Sequence, residues 1–141
     1  MTFYLDTSFV VAALTRENAS FRVQSWLADN SEAELYISEW VKTEVSAALS
    51  IKVRNRDLTH AEQAAALFRF AILCSENFHL LPIPIAVFGR AAKFADHSHL
   101  SLRSGDALHL AIVEPSHMLL VTLDKQLAKA GPELGVATIL A

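Results

Sequence analysis

The sequence predicts an α/β domain: a three-layer α/β/α sandwich around a mainly parallel sheet of four to five strands, formed by residues 1–141 as a single unit. Strand-like and helix-like segments alternate throughout, as in sheets built from βαβ units with helices on both faces. Two apolar runs, Phe3-Tyr4-Leu5 and Met118 to Thr122, stop abruptly at an acid, Asp6 and Asp124. In an open α/β sheet, chemistry gathers beyond the carboxyl ends of the strands. With 141 residues, 52% of them hydrophobic and 19% charged, the chain suits one domain with a substantial core.

Thr2 to Leu5 reads as a strand that runs into the polar cluster Asp6-Thr7-Ser8. Phe9, Val10, Ala12, Ala13 and Leu14 then form a short, largely apolar helix capped by Thr7 or Ser8, with Asp6 as the alternative cap. A second helix is expected over Ala19 to Ala28, with Phe21, Val23, Trp26 and Leu27 among its apolar positions. Glu34 to Ile37 is rich in strand formers, and Ser38 is placed to cap the helix from about Glu39 to Arg54. On that helix Val41, Val45, Ala48, Leu49 and Lys52 share a stripe that includes Glu44, so a carboxylate faces inward. An inward carboxylate is costly unless it is paired, bound to a metal or open to a cleft; the alternative is a solvated position on the helix shoulder.

Asn55 to Leu58 is a turn, and Thr59 with Glu62 makes a capping box for a helix over His60 to Ser75. Ala64, Leu67, Phe68, Ala71 and Ile72 give that helix an apolar side suited either to core or to a dimer or partner surface. Phe78 to Ile83 reads as a strand confined to an edge by Pro82 and Pro84. Helix resumes near Ala86, with Val87, Ala91, Phe94 and Ala95 on its apolar face, and fades at His97 and His99, whose i, i+2 spacing would make them diverge on a helix. Ser104 or Gly105 is expected to cap a helix with Asp106 in its first turn, ending before Pro115. After the fourth strand, Lys125 to Ala130 forms a short helix stopped by Gly131 and Pro132, and Val136 to Leu140 a last strand.

Composition removes several classes of function. Four glycines leave no Gly-rich phosphate loop, dinucleotide fingerprint or Gly-x-Ser-x-Gly elbow. The single cysteine, Cys74, excludes an internal disulfide and a thiolate zinc cluster, and its apolar neighbours suggest a core thiol. A net charge of -3 rules out coating nucleic acid by bulk attraction, so any such contact is local. Lys52, Arg54 and Arg56 are the best candidates, unless they simply serve a helix dipole. A mean hydropathy of +0.31 suggests that some apolar surface meets a partner. No run approaches the roughly 18 to 20 apolar residues of a bilayer span, and Met1 leads into a strand rather than a signal sequence, so a cytoplasmic protein is expected.

The α/β layout gives Asp6, Glu44, Asp106 and Asp124 a common destination, although a cap or a dipole contact would explain each one separately. Four carboxylates in one cleft repel each other unless some stay protonated or a cation joins them. Oxygen-only ligands favour Mg²⁺ or Mn²⁺ over zinc, and such ions promote phosphodiester hydrolysis. Thr7, Ser8 and Thr122 would then orient carboxylates or waters, and Arg103 or Lys125 would touch a phosphate.

The order Tyr4-Leu5-Asp6-Thr7-Ser8, then Glu44, then Gly105-Asp106-Ala107-Leu108-His109-Leu110-Ala111, then Leu120-Val121-Thr122-Leu123-Asp124 resembles a PIN domain, specifically the VapC-type toxins of bacterial toxin–antitoxin pairs. The resemblance runs nearly end to end. It implies a Mg²⁺- or Mn²⁺-dependent endoribonuclease with an acidic quartet of Asp6, Glu44, Asp106 and Asp124, assisted by Thr122. It also implies a homodimer and a cognate antitoxin that binds over the site. His97 to Ser101 and the break at Glu114-Pro115 depart from the common pattern without touching the quartet. Two other classes compete: a catalytically idle module that binds protein or RNA, and a phospho-acceptor signalling domain. The second would want an acidic pair near the chain start, where Asp6 is instead followed by Thr7 and Ser8.

Overall fold

A computed structural model describes residues 1–141. The elements in chain order are β1 (Thr2–Leu5), α1 (Thr7–Leu14), α2 (Ser20–Asp29), β2 (Glu34–Ile37), α3 (Glu39–Arg54), α4 (His60–Glu76) and β3 (Phe78–Leu80), followed by α5 (Ala86–Ala95), α6 (Ser104–Val113), β4 (Leu119–Thr122), α7 (Lys125–Glu133) and β5 (Thr138–Leu140). The five strands form one sheet in the order β3-β2-β1-β4-β5, and every pairing is parallel. β1 runs to β2 on one side and pairs with β4 on the other, so the strand order reverses between β1 and β4. A crevice forms at such a switch point, beyond the carboxyl ends of the strands.

Burial follows from this topology. β1 has helices on both faces and reads Phe3-Tyr4-Leu5, all buried, as an inner parallel strand should. Trp26 packs edge-on against Phe3 and Phe9, with ring centroids 5.0 and 5.2 Å apart, and fastens α2 to β1 and α1. α3 presents Val41, Val45 and Leu49 to the core, as its periodicity requires. α6 is buried all round: every residue from Ala107 to Val113 is inside, including His109. No helix is long and apolar enough to cross a membrane.

Some local expectations are corrected. α1 is capped by Asp6, whose Oδ1 accepts from the Phe9 N–H at 3.1 Å, while Thr7 and Ser8 lie inside the helix. Ser38 occupies the N-cap position of α3 but makes no side-chain cap, because its hydroxyl turns to Tyr4. Ser104 and Gly105 lie within α6, which starts from Arg103 without a side-chain cap. α7 continues through Pro132 to Glu133. The Leu134 and Gly135 N–H groups bond back to the Gly131 and Pro132 carbonyls, and Gly135, at φ +81°, ends the helix in a left-handed conformation. β3 is shorter than expected and lies at the sheet edge, as Pro82 and Pro84 demand. The Thr59–Glu62 capping box of α4 is present in both directions. On α4 the buried residues are Ala66 and Phe70, so Leu67, Phe68 and Ile72 are left as an exposed apolar face.

Candidate active site

Asp6 stands where β1 ends, its N–H still paired with the Val121 carbonyl of β4. It is only 4% exposed. Three donors hold its carboxylate: Ser8 Oγ and the Phe9 N–H on Oδ1, at 2.7 and 3.1 Å, and Thr122 Oγ1 on Oδ2, at 2.6 Å. The two hydroxyls are themselves fixed by the chain that follows β4. Ser8 Oγ accepts from the Leu123 N–H at 3.0 Å, and Thr122 Oγ1 accepts from the Asp124 N–H at 2.9 Å. Asp6 thus caps α1 and also sits at the switch point, so the two explanations for it are compatible.

Asp124 caps α7, with Oδ1 accepting from the Gln126 and Leu127 N–H groups at 2.8 and 3.1 Å. Asp106 lies in the first turn of α6, and its neighbour Arg103 comes no nearer than 3.9 Å on a side chain that is 87% exposed. Glu44 leans from α3 toward α6. Its Oε1 accepts from Thr7 Oγ1 at 2.6 Å and from His109 Nε2 at 2.5 Å. Its Oε2 lies against Gly105, where a Cβ would come within 2.8 Å. That opening also borders Trp40, whose indole N–H is the one buried side-chain polar atom without a hydrogen-bond partner.

Electrostatics ties these groups together. Burial pushes the Asp6 carboxyl above its ordinary value, against the opposing pull of His109, Thr122, Ser8 and the Phe9 N–H. Burial likewise raises Asp106, and the negative charge of Asp124 adds to the effect. For Glu44, burial acts upward but is outweighed by the hydrogen bond and charge of His109 and by the Thr7 hydroxyl, which together hold the carboxyl below its usual range. Asp6, Glu44 and Asp106 all feel His109, and Asp106 feels Asp124. Contacts link the four acids predicted from sequence: Thr122 bonds both Asp6 and the Asp124 N–H, and Glu44 bonds Thr7 beside Asp6 and lies against Gly105 beside Asp106.

Their donor set is made of hard oxygens, and the anions at Asp6 and Asp106 are disfavoured by burial, a cost that a divalent cation would remove. The residues fit such an ion in charge and donor type. Their oxygens are not gathered into a ready-made coordination shell, because no three His, Cys, Asp or Glu side chains converge closely enough for one. His97 and His99 belong to no such cluster either.

Of the accessory residues, Thr7, Ser8 and Thr122 each touch an acid. Arg103 stands at the rim, and Lys125 is exposed beside Asp124. A groove of about 800 Å³ is lined by Thr7, Ser8 and Asp124 and also by Arg22 and Lys52. Lys52 is paired with Glu17 at 2.8 Å. Arg54 is exposed and bonded to Ser50, so among the basic residues that end α3 only Lys52 lines the groove.

The sequence assigns no part in the site to His109 or Tyr4, reads Ser38 only as a helix cap, and does not show the close approach at Gly105. A signal for His109 was present: it is the only polar residue between Ala107 and Val113, three residues after Asp106, and a polar group on so apolar a helix requires a partner.

Comparison with known proteins identifies the family and the fold. The PIN domain family matches residues 3–132. Ribonuclease VapC45 of Mycobacterium tuberculosis (strain CDC 1551 / Oshkosh) is 36% identical over 111 residues, covering 77% of this chain and 72% of that protein. Among solved structures, the sarcin-ricin loop cleaving toxin VapC20 of Mycobacterium tuberculosis superimposes with a TM-score of 0.73 at 17% identity, covering 92% of this chain and 95% of that one. VapBC2 from Rickettsia felis, bound to a DNA fragment from its promoter, gives a TM-score of 0.68 at 17% identity, covering 99% and 98%. At those identities the structural likeness concerns the fold, whereas the match over residues 3–132 and the relative at 36% identity establish the family: the chain belongs to the PIN domain family.

Proposed function

We propose that this protein is an endoribonuclease that hydrolyses RNA phosphodiester bonds with the help of Mg²⁺ or Mn²⁺, and that it is the toxin of a toxin–antitoxin pair. The observation that supports the reading is that contacts link the four acids beyond the carboxyl ends of β1 and β4: Thr122 bonds both Asp6 Oδ2 and the Asp124 N–H, and Glu44 bonds Thr7 and lies against Gly105, the neighbours of Asp6 and Asp106. The relative named a ribonuclease supports the reaction class. Asp6, Glu44, Asp106 and Asp124 would hold the divalent ion, which when bound would stabilise the charge that develops on the phosphodiester.

The remaining work falls to the chain's own groups. Ser8 and Thr122 fix the rotamer of Asp6, and Thr7 and His109 fix that of Glu44. Exposed Arg103 and Lys125 would meet a phosphate of the substrate at the rim. Asp6→Asn and Asp106→Asn keep the shape of the side chains and lose a charge. Each is expected to abolish cleavage of RNA while the protein stays folded by circular dichroism, and retained cleavage by a pure, folded variant would overturn the assignment.

A homodimer and an antitoxin complex complete the reading. The α4 face of Leu67, Phe68 and Ile72, together with Ile85 and Phe88 around the start of α5, leaves large apolar side chains in solvent, as interaction surfaces do. The VapBC2 complex among the structural neighbours is consistent with such a partner.

A further inference from the structure

Glu44 projects from the middle of α3 and no backbone N–H bonds its carboxylate, whereas Asp6 and Asp124 accept from N–H groups at the starts of α1 and α7. Its carboxylate is held instead by a buried polar chain. Ser38 Oγ lies 2.8 Å from the Tyr4 hydroxyl, that hydroxyl 2.9 Å from His109 Nδ1, and His109 Nε2 2.5 Å from Glu44 Oε1. Tyr4 and Ser38 are 0% exposed and His109 is 2% exposed, so none of them meets substrate. An ionised carboxylate only accepts hydrogen bonds, so Nε2 donates to Glu44. Nδ1 pairs with the Tyr4 hydroxyl in either protonation state, accepting from it as the neutral ring or donating to it as the imidazolium, and Ser38 takes the complementary role, so every group in the chain is satisfied.

These four residues come from three elements: Tyr4 from β1, Ser38 and Glu44 from the N-cap and body of α3, and His109 from the core of α6. The chain therefore ties Glu44 to the sheet and to the helix that carries Asp106. We infer that His109, backed by Tyr4 and Ser38, is a positioning residue that aims the Glu44 carboxylate at the site through its Nε2–H. The inference rests on the proposed nuclease function, since it concerns the aim of one of that site's acids. Thr7 alone cannot replace the imidazole. It lies in the first turn of α1 at the half-exposed surface, whereas His109 reaches Glu44 from within the core.

The test compares His109→Gln with His109→Asn. The Gln amide extends to the place of Nε2 and keeps a donor toward Glu44, whereas the Asn amide stops near the place of Nδ1 and leaves Glu44 unsupported. Removing a residue that orients a metal-binding group costs about 10- to 100-fold in activity or metal affinity. His109→Asn is expected to lose that much in kcat with little change in KM, and to lose Mn²⁺ affinity to a similar extent in calorimetric titration without RNA. His109→Gln should stay within a few-fold of wild type in both measurements. Thermal melting reports the fold of each variant, and if His109→Asn melts out, Tyr4→Phe replaces it with a smaller loss of the same kind.

Wild-type kcat and Mn²⁺ affinity in folded His109→Asn would overturn the inference. So would equal losses in folded His109→Gln and His109→Asn. Asp6→Asn assayed alongside separates the two claims: if it still cleaves RNA the nuclease assignment fails, and if it is inactive while His109→Asn is unimpaired only the positioning role fails.

Discussion

Gly105→Ala isolates the geometry of Glu44 from its chemistry. The Gly105 backbone has no positive φ, so conformation does not require glycine there, and an alanine inside a helix is ordinarily favoured by about 0.5 to 1 kcal/mol. Space is what forbids it. The added Cβ would lie 2.8 Å from Glu44 Oε2, so the carboxylate must retreat by about 0.6 Å to reach the 3.4 Å at which ordinary contact begins. That retreat pulls Oε1 against two short bonds, from Thr7 at 2.6 Å and His109 at 2.5 Å. Hydrogen bonds to a charged group contribute about 1.5 to 3 kcal/mol each, so partial loss of one roughly offsets the helix gain and the melting temperature should move little. Catalysis is less forgiving: a displacement near 1 Å costs on the order of a hundredfold, so a loss on the order of ten- to a hundredfold in kcat is expected. Single-turnover cleavage of a structured RNA, run beside a thermal melt, measures both. Wild-type cleavage by Gly105→Ala would refute the claim that the site depends on where the Glu44 carboxylate sits.

Further outcomes follow from the same contacts. Thr122→Val removes the donor to buried Asp6 Oδ2 and the acceptor of the Asp124 N–H, and urea unfolding should show a loss of about 1 to 3 kcal/mol. For the metal-free protein the pH effect has a definite sign. The folded state raises the Asp6 pKa, so it binds that proton more tightly than the unfolded chain and loses stability as pH rises from about 4 through the raised value. Asp6→Asn escapes this loss, and in chelator its melting temperature relative to wild type should climb across that window; a pH-independent difference would contradict the burial account. On the outer face, wild type should sediment at twice its 15.5 kDa chain mass, and Phe68→Glu combined with Ile72→Glu should disrupt the dimer or capture by the antitoxin without lowering the melting temperature. Both assemblies surviving intact would show that the α4 face is not used.

Much of this architecture was legible because its signals are local. Apolar runs that end in acids located β1 and β4, the Thr59–Glu62 box located the start of α4, and the prolines after β3 placed it at an edge. Glu44 could be assigned inward because helical periodicity is a strong constraint on α3. The errors arose where tertiary contacts redirected polar groups. Ser38 has the composition of a cap but spends its hydroxyl on Tyr4, which lies 34 residues away in sequence. Thr7 and Ser8 gave up the cap of α1 to Asp6 because their hydroxyls serve Glu44 and Asp6. His109 was passed over since its partners, Tyr4 and Glu44, lie 105 and 65 residues away, beyond the reach of any spacing rule. On α4 the periodicity was real but selected the exposed side, because Ala66 and Phe70 already fill the space beneath the helix.

The central claim is that the four acids act together through a divalent cation. Its most direct test is a calorimetric titration of Mn²⁺ into RNA-free wild type and Asp106→Asn, paired with RNA cleavage at each metal concentration. The account predicts that cleavage rises with metal occupancy in wild type and that Asp106→Asn loses both binding and cleavage while remaining folded. Cleavage that persists in chelator, or that survives in folded Asp106→Asn, would contradict it.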